Sequence, residues 1–238
     1  RDVNAVEPNT NDTLLSLERL KVELRLWKLL KKEVEIEEIS IRNATFDTRD
    51  FIDGMIVNGH LGELFLESHG VVFSPETARI NEFSVKNTDV SLTLGSIEST
   101  DTVPSEPLYW KILLDEIDFE NVGFALKMPQ DSLFVRTMLP KTTLKNGVID
   151  LKEASYYVKS FGIDNAELAY GPKEELFLQQ IGLQLDSIYY CGKDIRVNIE
   201  EFVLKERSGL ELVSTEGRIV SDSVLIEIPK FTMKTTAS

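Results

Sequence analysis

Cysteine is almost missing from this chain. Cys191 stands alone, so an internal disulfide and a cluster of thiolate metal ligands are both excluded, a pattern compatible with an oxidising compartment, where many proteins avoid cysteine. Histidine is equally scarce. His60 and His69 are too few and too scattered for a histidine metal site of the usual kind. Positive charge is short as well: 26 Lys and Arg stand against 40 Asp and Glu, a formal charge of −14. That balance repels nucleic acid and anionic membrane surfaces, and no basic patch interleaves with the aromatic residues as a stacking platform would require. No nucleic-acid partner is expected. No run of eighteen apolar residues exists to carry the chain across a bilayer as a helix, and no signal peptide is present. The first residue is Arg rather than Met, which suggests a processed product whose targeting segment has been removed.

Motifs that carry chemistry are missing too. There is no phosphate-binding glycine loop, no nucleophile elbow and no calcium loop. Asp47–Gly54, "DTRDFIDG", has the composition of such a loop but not its spacing. Acidic pairs occur at Glu37-Glu38, Asp115-Glu116, Glu174-Glu175 and Glu200-Glu201. They sit beside apolar strand positions, where a solvated face is expected rather than a glycosidase pair. Cys191 has no partnering His and reads as an inert thiol. The expectation is a protein that is not an enzyme and needs no cofactor.

What the chain has in quantity is alternation. At 238 residues it is long enough to bury a substantial apolar layer. Segments such as "LERLKVELRL", "GELFLESHGVVF" and "DIRVNIEEFVLKE" place apolar side chains at every second position, the period of a strand with one face covered. Such segments run four to nine residues between Gly, Asn, Asp or Pro. Only "LWKLLKK" and "PKEELFLQQIG" suggest helix, each a short one. The chain is therefore read as all-β with one or two short helices. Residues 1–14 are expected to be a disordered lead-in, 15–238 a repeating β-groove fragment, and 96–108 a polar loop within it.

The alternation changes step at four asparagines. In "DEIDFENVGFALKM" the apolar residues are Ile117 and Phe119 before Asn121, then Val122, Phe124, Leu126 and Met128 after it. The same shift recurs around Asn43, Asn87 and Asn165, at separations of 44, 34 and 44. One extra residue would send the later side chains to the other face. A bulge absorbs that residue and keeps both halves on one side, and a tight hairpin corner would serve as well, since Asn tolerates left-handed dihedrals. These asparagines are thus read as structural; the sequons at Asn11 and Asn43 matter only in a eukaryotic secretory setting. A weaker echo places a Trp-Lys pair before two of the units, at Trp27 and Trp110. Repeated units of this kind imply an extended sheet, a solenoid or a barrel-like assembly. From the pattern alone, a sealed sandwich and an open groove stand level.

The run "LERLKVELRLWKLLKKEVEIEEISIRNATF" resembles the start of the periplasmic part of AsmA-like proteins, including the TamB-type translocation and assembly proteins. The units "WKILLDEIDFENVGF" and "LKNGVIDLKEASYYVKSFGIDNAELAYG" are similar to those of Bacteroidota-like members, as is the closing "IEEFVLKERSGLELVSTEGRIVSDSVLIEIPKFTMKT". The resemblance covers about residues 15 to 236. It implies an extended, taco-like curved β-sheet with an apolar groove, located in the periplasm and anchored in the inner membrane by an N-terminal helix outside this segment. The implied partners are a phospholipid or other acyl-chain ligand and an outer-membrane barrel protein, in lipid transport or outer-membrane assembly. An adhesive or structural module binding protein or glycan is the alternative. The candidate groove residues are Ile39, Ile41, Phe46, Phe83, Val85, Ile117, Phe119, Val122, Phe124, Leu126, Phe161 and Ile163.

Overall fold

A computed structural model describes residues 3–6, 13–25, 36–49, 54–73, 76–95, 109–214, 217–221 and 232–235. Thirteen strands form one sheet: β1 (Val3–Val6), β2 (Thr13–Leu24), β3 (Ile36–Asp47), β4 (Met55–Phe73), β5 (Glu76–Leu94), β6 (Lys111–Met128), β7 (Leu133–Asp150), β8 (Ser155–Tyr170), β9 (Leu176–Cys191), β10 (Asp194–Glu206), β11 (Leu210–Ser214), β12 (Gly217–Ser221) and β13 (Thr232–Thr235). Chain order is spatial order from β1 to β11. β13 then pairs with β11, and β12 takes the other half of β10. Neighbours are antiparallel except β5 and β6, which run parallel.

The sheet is curved and open. Among the described residues, every substantial packing of one strand on another is between sheet neighbours, so no second layer covers either face. Among the described residues the sheet is therefore neither a sealed sandwich nor a closed barrel. The chain exposes 15812 Å², against roughly 11,000 Å² for a compact monomer of this mass. Among the described residues no large side chain is completely buried. The best-covered apolar residues include Ala44, Val85, Leu114, Ala166 and Leu185, scattered across the sheet.

Three expectations need correction. The segments of four to nine residues are pieces of longer strands, up to 19 residues in β4 and β5; in β5 Asn87 bends the strand without ending it. The expected helix at "PKEELFLQQIG" is a turn followed by β9. Its apolar spacing of three, Leu178 to Ile181, comes from register shifts between β8 and β9 around that point, which imitate a helical interval. Within the expected lead-in, Val3–Val6 pairs with β2, and β2 itself begins at Thr13. The only helical turn among the described residues is a 3₁₀ turn at Pro129–Asp131. The "LWKLLKK" helix and the loop at 96–108 lie outside the described residues.

The irregular Asn separations follow from the topology. β3, β5, β6 and β8 carry the four asparagines and run in the same direction. A separation of 44 spans two antiparallel strands, out and back. The separation of 34 spans the single parallel step from β5 to β6.

Candidate functional site: an uncovered apolar face

Asn43, Asn87, Asn121 and Asn165 all adopt left-handed backbone, with φ of 48°, 50°, 52° and 54°. Among non-glycine residues Asn bears this conformation most readily, because its short polar side chain bonds locally. All four lie within strands, so the hairpin-corner alternative falls away. Nor is each an isolated bulge. Between β5 and β6 the register runs unbroken, Lys86 facing Glu120 and Thr88 facing Val122, because both strands make the step together. Between β8 and β9 it is a true register shift.

The steps align into a crease across the sheet. Asn43 donates to the Glu18 carboxylate, Asn121 Nδ2 donates to Asn87 Oδ1 at 3.3 Å, and Gln180 Nε2 donates to Asn165 Oδ1 at 3.0 Å. Gly62 lies on the same line. A Cβ there would meet the Asn87 carbonyl oxygen at 2.6 Å, so β4 passes the Asn87 bend only because residue 62 has no side chain.

A second crease, which sequence reading missed, runs parallel to the first. Asn146 has φ 53°, His69 Nδ1 lies 2.5 Å from Asn81 Oδ1, and Asn81 Nδ2 donates to Asp115 Oδ2 at 3.1 Å. Asn81 and Asn87, like Asp115 and Asn121, are six positions apart, a separation of about 20 Å along a strand. Here the retention of face is seen directly. A Cβ on Gly147 would touch Leu144 Cδ2 at 3.2 Å and Leu114 Cδ1 at 3.3 Å, although Leu144 and Gly147 are three residues apart.

Directly paired residues share a face, so the register traces the apolar surface. One row runs from Val22 through Ile39, Leu66, Phe83 and Ile117, and on through Leu144, Phe161 and Leu185 to Ile199. The next runs from Leu20 through Ile41, Leu64, Val85, Phe119 and Thr142 to Ile163 and Leu183. The Phe83 and Phe119 rings meet edge to face across these two rows, with centroids 6.1 Å apart. Beyond the first crease Val122 pairs with Leu139, Phe46 shares a row with Gly59, Val90 and Phe124, and Leu126 pairs with Val135. The twelve candidate residues therefore stand on one surface. Leu64, Leu66, Leu144, Leu183 and Leu185 belong to it as well; their alternation was visible, but no Asn marks their strands.

The opposite face is polar between the creases. Asp118 pairs with Thr143, Thr143 with Gly162 and Gly162 with Gln184. Cross-strand ion pairs lace it: Lys21–Glu38 at 2.9 Å, Lys86–Glu120 at 3.3 Å and Lys145–Glu116 at 2.7 Å. Hydrogen bonds to Glu23 and Glu38 hold the Lys21 ammonium above its usual pKa, and Glu116 does the same for Lys145. Such exposed pairs add little stability each; their effect is to keep this face in water. Of the acidic pairs noted in the sequence, Asp115 meets Arg79, Glu116 meets Lys145 and Glu174 meets Arg136. Among the described residues no group of three or more His, Cys, Asp or Glu is placed to hold a metal, and no helix is long and apolar enough to cross a membrane. Neither a protein-family model nor a curated protein matches the chain.

Proposed function

We propose that the apolar face binds acyl chains, and that the chain is a non-enzymatic segment of an AsmA-like, TamB-type envelope protein. It would act in the periplasm in phospholipid transport or outer-membrane assembly. The observation that carries this reading is an apolar surface that no other described element covers: Phe124, in the row beyond the first crease, is 37% exposed. Burying each methylene of an acyl chain there is worth about 0.8 kcal/mol, and head groups need no basic pocket if they remain at the margin in water.

Native mass spectrometry of protein purified without detergent is the test. Phospholipid is expected to remain bound at reproducible stoichiometry. Phe124→Glu is expected to abolish the bound lipid while leaving the β-sheet circular-dichroism spectrum unchanged, since a carboxylate at an open face stays hydrated. Wild-type protein that retains no lipid and takes none up from vesicles would refute the reading and favour a module that binds protein or glycan.

A further inference from the structure

Five of the six tyrosines gather along one margin of the sheet. Tyr109 and Trp110 precede β6, Tyr156 and Tyr157 open β8, and Tyr189 and Tyr190 close β9. β6 and β8 begin at this margin, whereas β7 and β9 end there. Tyr109 is 54% exposed and Tyr157 40%, and Tyr156, Tyr190 and Leu113 are exposed as well.

The alternation that makes the rest of the sheet two-faced fails at this margin. Ile112 pairs with Ile149, Ile149 with Tyr156 and Tyr156 with Tyr190, all on the acyl-binding face. One residue along, on the opposite face, Leu113 pairs with Val148, Val148 with Tyr157 and Tyr157 with Tyr189. Both faces are apolar here. A face lining a groove needs apolar groups on one side only, so the second set is unexplained by the groove.

The charge of the margin also differs from that of the chain. Lys111, Lys152, Lys193 and Arg196 stand against Glu76, whose carboxylate accepts from the Tyr109 backbone N–H at 3.1 Å, and against Asp150, Glu153 and Asp194, a balance of charge in a protein of net charge −14. Two of these pair within the margin, Lys111 with Asp150 at 3.4 Å and Arg196 with Asp194 at 2.7 Å, and Arg196 also lies over the Tyr189 ring at 5.6 Å. Tyrosine and tryptophan, with an apolar body and a polar tip, concentrate where hydrocarbon meets water. An apolar, charge-balanced edge with a row of phenols fits the interface of an uncharged bilayer.

We infer that this tyrosine-rich margin seats the protein on the surface of a zwitterionic phospholipid bilayer, inserting both faces of the β6–β9 strand ends to the depth of the head groups. The inference is independent of acyl-chain binding, because Tyr157 and Tyr189 lie on the face away from that surface. Flotation with phosphatidylcholine vesicles tests it. Wild-type protein is expected to float, and the Tyr157→Ser/Tyr189→Ser double variant to partition about tenfold less while keeping its spectrum and any lipid seen by native mass spectrometry. In a Trp27→Phe background, phosphatidylcholine brominated near the head group is expected to quench Trp110 emission, a readout that needs no change at the margin. Three results would each overturn the inference: folded wild-type protein that does not float, flotation only with phosphatidylglycerol vesicles, or tyrosines that support self-association by sedimentation with Trp110 unquenched.

Discussion

The left-handed asparagines explain why side chains on two sides of a step share one surface. For a residue with a branched Cβ this conformation is costly, because Cβ crowds the following carbonyl; L-residues lose roughly 1–2 kcal/mol there. Asn121→Val is therefore expected to destabilise the protein by about that amount in denaturant unfolding, whereas Asn121→Gly should stay within a few tenths of a kcal/mol of wild type. Gly62 tests the same crease from the neighbouring strand. Gly62→Ala forces a contact with the Asn87 backbone that cannot be relieved by a rotamer change, and a loss of about 1–3 kcal/mol is expected. Equal stability of the Val and Gly variants at 121 would show that the left-handed conformation there is not required.

At the scale of strands and hairpins, the turn ends carry the charged groups whose titration bears on stability. Asp150 closes β7. Its carboxylate accepts from the Glu153 backbone N–H at 3.1 Å, which with the nearby Lys111 holds its pKa below the usual value. Glu206, closing β10, is lowered by hydrogen bonds from the Ser208 hydroxyl and backbone N–H. A carboxylate with a depressed folded-state pKa stabilises above its unfolded pKa, and the contribution is lost as pH falls through the folded value. Asp150→Asn is thus expected to be less stable than wild type at pH 7. The difference should begin to shrink as pH falls below about 4 and vanish below the lowered folded value, as read from thermal melts across the acid range; a constant difference down to pH 2 would contradict the assignment. Much of this element-level order was legible in the sequence. The period-two alternation gave the strands, and the parity change at Asn43, Asn87, Asn121 and Asn165 located the first crease. The second crease escaped, because only Asn146 marks it with a left-handed residue; elsewhere it runs through His69, Asn81 and Asp115, ordinary polar residues in a strand pattern. Register between β8 and β9 was equally hidden, since paired shifts cancel over a few residues and leave a spacing that looks helical.

For the whole molecule, the decisive feature is an open sheet with no second layer among the described residues. Among the described residues no other element packs on the thirteen-stranded sheet, which leaves its apolar face to solvent or to a ligand, and exposed contiguous apolar surface supports the proposed binding role. Composition and periodicity left the open and sealed forms level, because both need the same inward residues; the structure separates them, since the sheet is open and, among the described residues, β1 and β13 do not pair. Tyrosines distributed over distant parts of the sequence converge on one margin only through strand direction, which no local pattern discloses. The end strand β2 shows the openness again. Among the described residues β1 pairs with Thr13–Leu17 of it, and Leu20 and Val22 are exposed where their partners Ile41 and Ile39 are half-buried.

One continuous surface, changing parity at Asn121, is proposed to hold the acyl chains. A photoreactive amino acid placed singly at positions 117 to 124 of β6, with radiolabelled phospholipid, reads that claim residue by residue. Lipid adducts are expected at 117 and 119, then at 122 and 124, with positions 118, 120 and 123 unlabelled. Adducts that keep one parity through Asn121, or none on either face, would contradict it.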